Sequence, residues 1–235
     1  MNRSNSKKLN SVLDTRSLSE QVYEYLCTMI IEGKLNYGET LSIKTIAQEL
    51  QVSSMPVREA IKRLELEGII TIHPRSRCVI KVPTKKSIQD ALEMRELLET
   101  HCIESIYTKV APSDLEHLYH ILEQMKRIVA EGQGSEQVKQ YIWWDREFHM
   151  ELCRLTNNEY LLKFYKEISL HLNMNYIYNI AIPPDITMTL EHHTHIIEAL
   201  SRHSPDAIEL MKIHLDRSKR NVLEGPRFAS FPESD

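Results

Sequence analysis

Residues 41–68 read LSIKTIAQELQVSSMPVREAIKRLELEG, and this stretch decides the fold. Ile43, Ile46, Ala47 and Leu50 recur at helical spacing, and Val57, Ala60, Ile61 and Leu64 do the same further on. Each set makes one apolar face, so the spacing predicts two short helices joined by a tight turn. Ser53 or Ser54 can cap the second helix. Pro56 falls in its first turn, where a missing N–H costs little. That helix carries Arg58, Lys62 and Arg63, with Arg58 and Lys62 one turn apart and off the apolar stripe. A short helix with a buried face and a basic outer face fits the DNA major groove. The plainer alternative is a helical hairpin with a solvated charged face.

The residues that follow favour DNA. Ile69–Ile72 and Cys78–Val82 read as short strands. Between them, His73-Pro74-Arg75-Ser76-Arg77 makes a hairpin tip with two arginines. Helix, turn, helix and basic β-hairpin describe a winged helix-turn-helix, whose wing can touch phosphates or the minor groove.

The charge distribution divides the chain. Residues 1–83 hold 12 basic and 9 acidic side chains, net +3, whereas residues 84–235 hold 17 and 24, net −7. Only the first part suits a polyanion. Hydrophobic content of 42% is enough for a buried core. Cys27, Cys78, Cys102 and Cys153 form no CxxC pair, which points to free thiols in a reducing cytoplasm. No apolar run reaches membrane-spanning length, so a membrane is not an expected partner.

The expected organisation is a mobile tail at 1–17, a winged helix-turn-helix at 18–82, a linker at 83–85, a helical domain at 86–223 and a C-terminal tail at 224–235. The boundary falls at Val82-Pro83-Thr84. After it, the pattern predicts helices near 86–109, 113–131, 135–155, 158–179, 185–202 and 205–223. Ser113-Asp-Leu-Glu116 has the form of a capping box, and Ser204-Pro205 suits the start of the last helix. Six amphipathic helices with short connections make an antiparallel bundle. The fold class is therefore mainly α.

Ten of the eleven histidines lie in this second part. Asp145 and His149 share one helix face with Val138, Tyr141, Ile142, Phe148 and Leu152. His193 falls in the stripe of Ile186, Leu190, Ile197 and Leu200, and His214 in that of Ala207, Met211, Leu215 and Val222. A buried Asp or His is costly unless paired or metal-bound. One carboxylate and three imidazoles pointing into a bundle suit a divalent transition metal of the zinc, nickel or manganese class. An ion pair within one helix and two satisfied core histidines are the plainer reading. Arg95 also sits in an apolar stripe, with Ile88, Ala91, Leu98, Cys102 and Ile106. It either pairs with Glu99 one turn later or aims into the bundle, where it would bind a carboxylate bidentately.

Roughly residues 18–82 resemble the GntR family of bacterial transcription regulators. The shared features are Gln21-Val22, Ile31-Glu32-Gly33-Lys34-Leu35, Gly38-Glu39-Thr40-Leu41, Ile46-Ala47, Val52-Ser53, Pro56-Val57-Arg58-Glu59-Ala60, Leu64, Glu67-Gly68 and Pro74. The resemblance implies DNA contacts from Lys44, Ser53, Ser54, Arg58, Lys62, Arg75 and Arg77. Three positions depart from the pattern. Ser54 stands where the family usually has an Arg that contacts DNA, Arg77 where the wing usually has Gly, and Tyr37 where a Pro-Gly turn has its Pro.

Most of residues 84–223 resemble the FCD ligand-binding domain of the FadR subfamily. The anchors are Arg95-Glu-Leu-Leu-Glu99, Asp145-Arg-Glu-Phe-His149, Asn158-Glu-Tyr-Leu161, His193-Thr-His-Ile-Ile-Glu-Ala199 and Met211-Lys-Ile-His214-Leu215. The resemblance implies a metal held by Asp145, His149, His193 and His214, with His192 as an alternative to His193. It further implies a small organic acid as effector, for which Arg95 is the candidate ligand. The whole reading is a cytoplasmic homodimeric regulator of a near-palindromic double-stranded DNA operator. A regulator that is only metal-responsive or metal-stapled is the alternative. A metal-dependent enzyme is a third, disfavoured because no HExxH or comparable motif is present.

Overall fold

The computed structural model describes residues 17–31, 33–73, 77–132, 134–179, 185–225 and 228–233. The amino-terminal part holds three helices, α1 (Leu18–Ile31), α2 (Ile43–Glu49) and α3 (Ser54–Leu66). Three short strands accompany them: β1 (Thr40–Leu41), β2 (Ile70–His73) and β3 (Arg77–Ile80). They form an antiparallel sheet in the order β1-β3-β2. The wing is the β2–β3 hairpin, with Ile70 opposite Ile80 and His73 opposite Arg77. The pairing of Thr40 with Val79 brings in β1, an edge strand too short for its alternation to be read from sequence.

Local signals set these elements. Ser42 caps α2 by accepting from Thr45 N at 3.2 Å. Ser53 is the N-cap of α3, although its side chain makes no capping hydrogen bond. At the other end of α3, Gly68 has φ +75°. There Gly68 N donates to Glu65 O and Ile69 N to Leu64 O, a Schellman stop that only glycine adopts without strain. The apolar faces meet in one core around Leu26, Ile30, Val57, Ile61, Leu64 and Ile80.

The second part is α4 (Lys85–Ile106), α5 (Glu116–Glu131), α6 (Ser135–Leu155), α7 (Glu159–Asn179), α8 (Ile186–Ser201) and α9 (Asp206–Leu223). Thr84 caps α4 through a reciprocal box with Ser87, so the linker is hardly longer than Val82-Pro83. A 3-10 turn, Pro112–Leu115, leads into α5. Asp114 Oδ2 accepts from Ala111 N there, so the cap sits two residues before the Ser113 box read from sequence. The helices pack around Ile103, Leu118, Ile121, Phe148, Leu152, Ile197 and Met211.

The two parts touch through α7. Leu170 lies in the core of the winged domain. His171 Nε2 is 2.9 Å from the Glu67 carbonyl at the end of α3. Residues 228–233, read from sequence as part of a tail, also lie against this boundary. Phe228 and Phe231 pack near Ile88 and Val222, and Lys85 N donates to Pro232 O at 2.8 Å.

Candidate functional site

Six of the seven DNA-contact candidates are among the described residues. Lys44, Ser53, Ser54, Arg58, Lys62 and Arg77 are all exposed. Arg75 lies outside the described residues. Arg63 faces the other way: its guanidinium pairs with Glu20 at 2.6 Å and Glu67 at 3.1 Å and lies 3.6 Å over the Tyr23 ring. It ties α3 to α1 and leaves Arg58 and Lys62 as the outward basic pair.

In the bundle, α6, α8 and α9 bring Asp145, His149, His193 and His214 together. One ligand atom from each lies within 4.8 Å of all the others. His149 Nε2 is 3.1 Å from His214 Nε2 and 3.9 Å from Asp145 Oδ2, and His193 Nε2 is 3.5 Å from Asp145 Oδ1. Two atoms bound to one ion at about 2.0–2.2 Å stand roughly 3–4 Å apart, so a small closure would suit a common cation. Neither ring nitrogen of His193 has a hydrogen-bond partner among the described residues, although the side chain is fully buried. A buried imidazole is costly in that state, and a cation would relieve it. His192 is only half-buried, and it is His193 that lies in the cluster.

Electrostatics suit the same role. Burial, reinforced by the charges of His149 and Arg95, holds His193 well below the usual imidazole range. Burial and the neighbouring His193 and His149 do the same for His214. Neutral imidazoles offer lone pairs, the form a metal requires. Burial raises the Asp145 carboxyl, against the opposing charges of His149 and Arg95.

Glu99 completes the centre from α4. It is fully buried, and its Oε2 lies 2.5 Å from His149 Nδ1. A carboxylate there favours the Nδ1–H tautomer and turns the Nε2 lone pair toward His214. Glu99 Oε1 accepts from Arg95 Nε at 2.7 Å and from Tyr165 Oη at 2.8 Å. Burial works to raise the Glu99 carboxyl, but Arg95 and His149 outweigh it and hold it well below the usual range. In the sequence Glu99 was legible only as a partner for Arg95. The signal for more was a second charge in the same apolar stripe.

Arg95 is buried and pairs with Glu99, the first of the two alternatives posed for it. Besides Glu99, it donates from Nη1 to Ser218 Oγ at 2.9 Å, and it lines a small cavity with Asp145, His149 and Tyr165.

Comparison with known proteins places both parts. The model of "Bacterial regulatory proteins, gntR family" matches residues 18–80, and that of the FCD domain matches residues 90–217. The chain is 26% identical over 193 residues to the gluconate operon transcriptional repressor of Bacillus subtilis (strain 168), covering 80% of this chain and 77% of that one. It is 24% identical over 186 residues to the HTH-type transcriptional regulator McbR of Escherichia coli (strain K12), covering 78% and 82%. The solved structure of E. coli McbR superposes with a TM-score of 0.79 at 21% identity, covering 89% of this chain and 98% of that one. That likeness confirms the fold.

Proposed function

The chain belongs to the gntR family of bacterial regulatory proteins and carries the FCD domain, which makes it a DNA-binding transcription regulator and not an enzyme; on that premise we propose that a small carboxylic acid, bound at a metal-containing pocket in the helical domain, sets its affinity for an operator. The observation that carries the proposal is the cluster of half-buried Asp145 with buried His149, His193 and His214, with Arg95 beside it. A bound divalent transition ion would supply Lewis-acid attraction for carboxylate oxygens. The residues do the rest. Glu99 orients His149, Asp145 contributes the one anionic ligand, and Arg95 offers a guanidinium at the edge of the adjoining cavity.

On the DNA side, α3 enters the major groove, where Arg58 and Lys62 face bases and phosphates. Lys44, Ser53, Ser54, Arg75 and Arg77 fix the register. Two copies acting together read a near-palindromic site in the cytoplasm. Exposed Met94 and Leu97 on α4 and Tyr160 and Phe164 on α7 support a homodimer through this helix pair. Among the described residues, no helix is long and apolar enough to cross a membrane.

Ligand alters operator affinity only by binding two arrangements of the protein unequally. Support for a physical link comes from α7. Its Tyr165 holds Glu99, which touches His149, while Leu170 and His171 engage the winged domain and the end of α3. The short linker at 82–84 runs in parallel. The test is operator titration with metal-loaded protein, with and without acids that raise its thermal stability. Control by an acid requires a shift in operator affinity. No shift with any acid that binds would leave a metal-responsive or metal-stapled regulator.

A further inference from the structure

A second cavity, of about 40 Å³, is bordered by Asp145 and His214 and so adjoins the proposed metal centre. Tyr141 from α6, Thr189 and His192 from α8, and Arg217 and Asn221 from α9 also line it. Three of these carry a buried polar atom with no hydrogen-bond partner among the described residues: Tyr141 Oη, His192 Nδ1 and Arg217 Nη1. Folded proteins leave few such atoms, and three around one small cavity is a concentration that asks for a ligand.

The helices align these groups. Thr189 and His192 are three residues apart and Arg217 and Asn221 four, so each pair shares a face. Arg95, by comparison, gives Nε to Glu99 and Nη1 to Ser218. Among the described residues Arg217 makes no ion pair, and its fork is matched to a carboxylate.

We propose that Arg217, with Tyr141, His192 and Asn221, forms a second anion-binding pole, so that the effector is a short dicarboxylate. One carboxylate faces the Asp145–His214 side and the other takes the Arg217 fork. The inference rests on the acid-and-metal reading above. Charge supports it: a divalent ion with the Asp145 carboxylate leaves one positive charge, and Arg217 adds another. A dianion balances both. Size supports a short skeleton, because a water needs roughly 10–15 Å³ of such space and the cavity holds only a few groups of that size. Three- and four-carbon acids fit that scale better than six-carbon acids.

The test is calorimetric titration of the full-length, metal-loaded protein with malonate and malate against acetate and lactate. Wild type should bind the dianions at least about tenfold more tightly, the scale of a charged hydrogen-bonded pair. Arg217→Gln should lose that advantage, keep monoanion affinity within about threefold and retain its metal. Arg217→Lys, which keeps the charge but not the fork, should fall between. Equal binding of both acid classes by wild type, or an Arg217→Gln variant that still prefers dianions, would overturn the second pole and leave acid sensing intact. Loss of metal in Arg217→Gln would also overturn it, by assigning the residue to the metal centre. Failure of every acid to bind wild type would remove both readings.

Discussion

Replacement of Glu99 by alanine tests the centre and the fold together. Glu99 is fully buried and receives three groups: Arg95 at 2.7 Å, His149 at 2.5 Å and Tyr165 at 2.8 Å. Without the carboxylate, the buried Arg95 guanidinium loses the Glu99 pair, and the Tyr165 hydroxyl loses its acceptor. Breaking a buried pair from one side costs about 3–5 kcal/mol. In a chain of this size each kcal/mol moves Tm by about 2–4 °C, so metal-free Glu99→Ala should melt roughly 6–20 °C below wild type. Released from Glu99, His149 can turn, and metal affinity should fall about 10–100-fold. Glu99→Gln keeps the size and one acceptor and should lose less of both. The assays are thermal melting after chelation and competitive titration with a metal indicator. A metal-free Glu99→Ala protein that melts within about 2 °C of wild type would refute the ledger. Unchanged metal affinity in the folded variant would refute the orienting role.

Three further outcomes are expected. Arg58→Ala should cost about 1–3 kcal/mol of discrimination between operator and scrambled DNA, whereas Lys62→Ala should weaken both and lower the salt slope by about one; fluorescence anisotropy at several salt concentrations separates the two, and an Arg58 variant with full selectivity would move the recognition helix elsewhere. Metal analysis should find about one divalent ion per wild-type chain and little in a His149→Ala/His214→Ala double variant, while His192→Ala retains it; full content in the double variant would remove the site. His193 and His214 are held below their ordinary values, so the unfolded chain takes up protons first: the stability of metal-free protein should be full above about pH 6.5 and fall as pH drops below it, by up to about 1.4 kcal/mol per histidine per pH unit. A melting temperature that stays flat from pH 7.5 to 5 would contradict that sign.

Much of the molecule was legible because its signals are local. The apolar stripes of 43–50 and 57–64 gave α2 and α3, and those around His193 and His214 gave α8 and α9 with their inward histidines. What stayed hidden depends on contacts between distant residues. Thr40–Leu41 is a strand only because Val79 and Cys78 lie opposite. Glu99 reaches His149 across two helices, and Arg217 meets Tyr141 and His192 only at a cavity wall. Arg63 meets Glu20 and Tyr23 of α1, partners that its place on α3 does not announce. Spacing shows which face of a helix a residue occupies, but not what the opposite helix presents.

Leu170 has a consequence for how the chain folds. It is a side chain of α7, yet it fills the core built by Leu26, Ile30, Ile61 and Ile80. Burying a leucine contributes about 1.5–3 kcal/mol, and domains of some sixty residues have little stability to spare. A fragment ending before α4 would therefore lack part of its own interior and expose the surface that Leu170 covers. Such a fragment should melt early or self-associate. In the intact chain, the middle of α7 around Leu170 and His171 and the winged domain should gain and lose amide-exchange protection together, as one cooperative unit that crosses the linker.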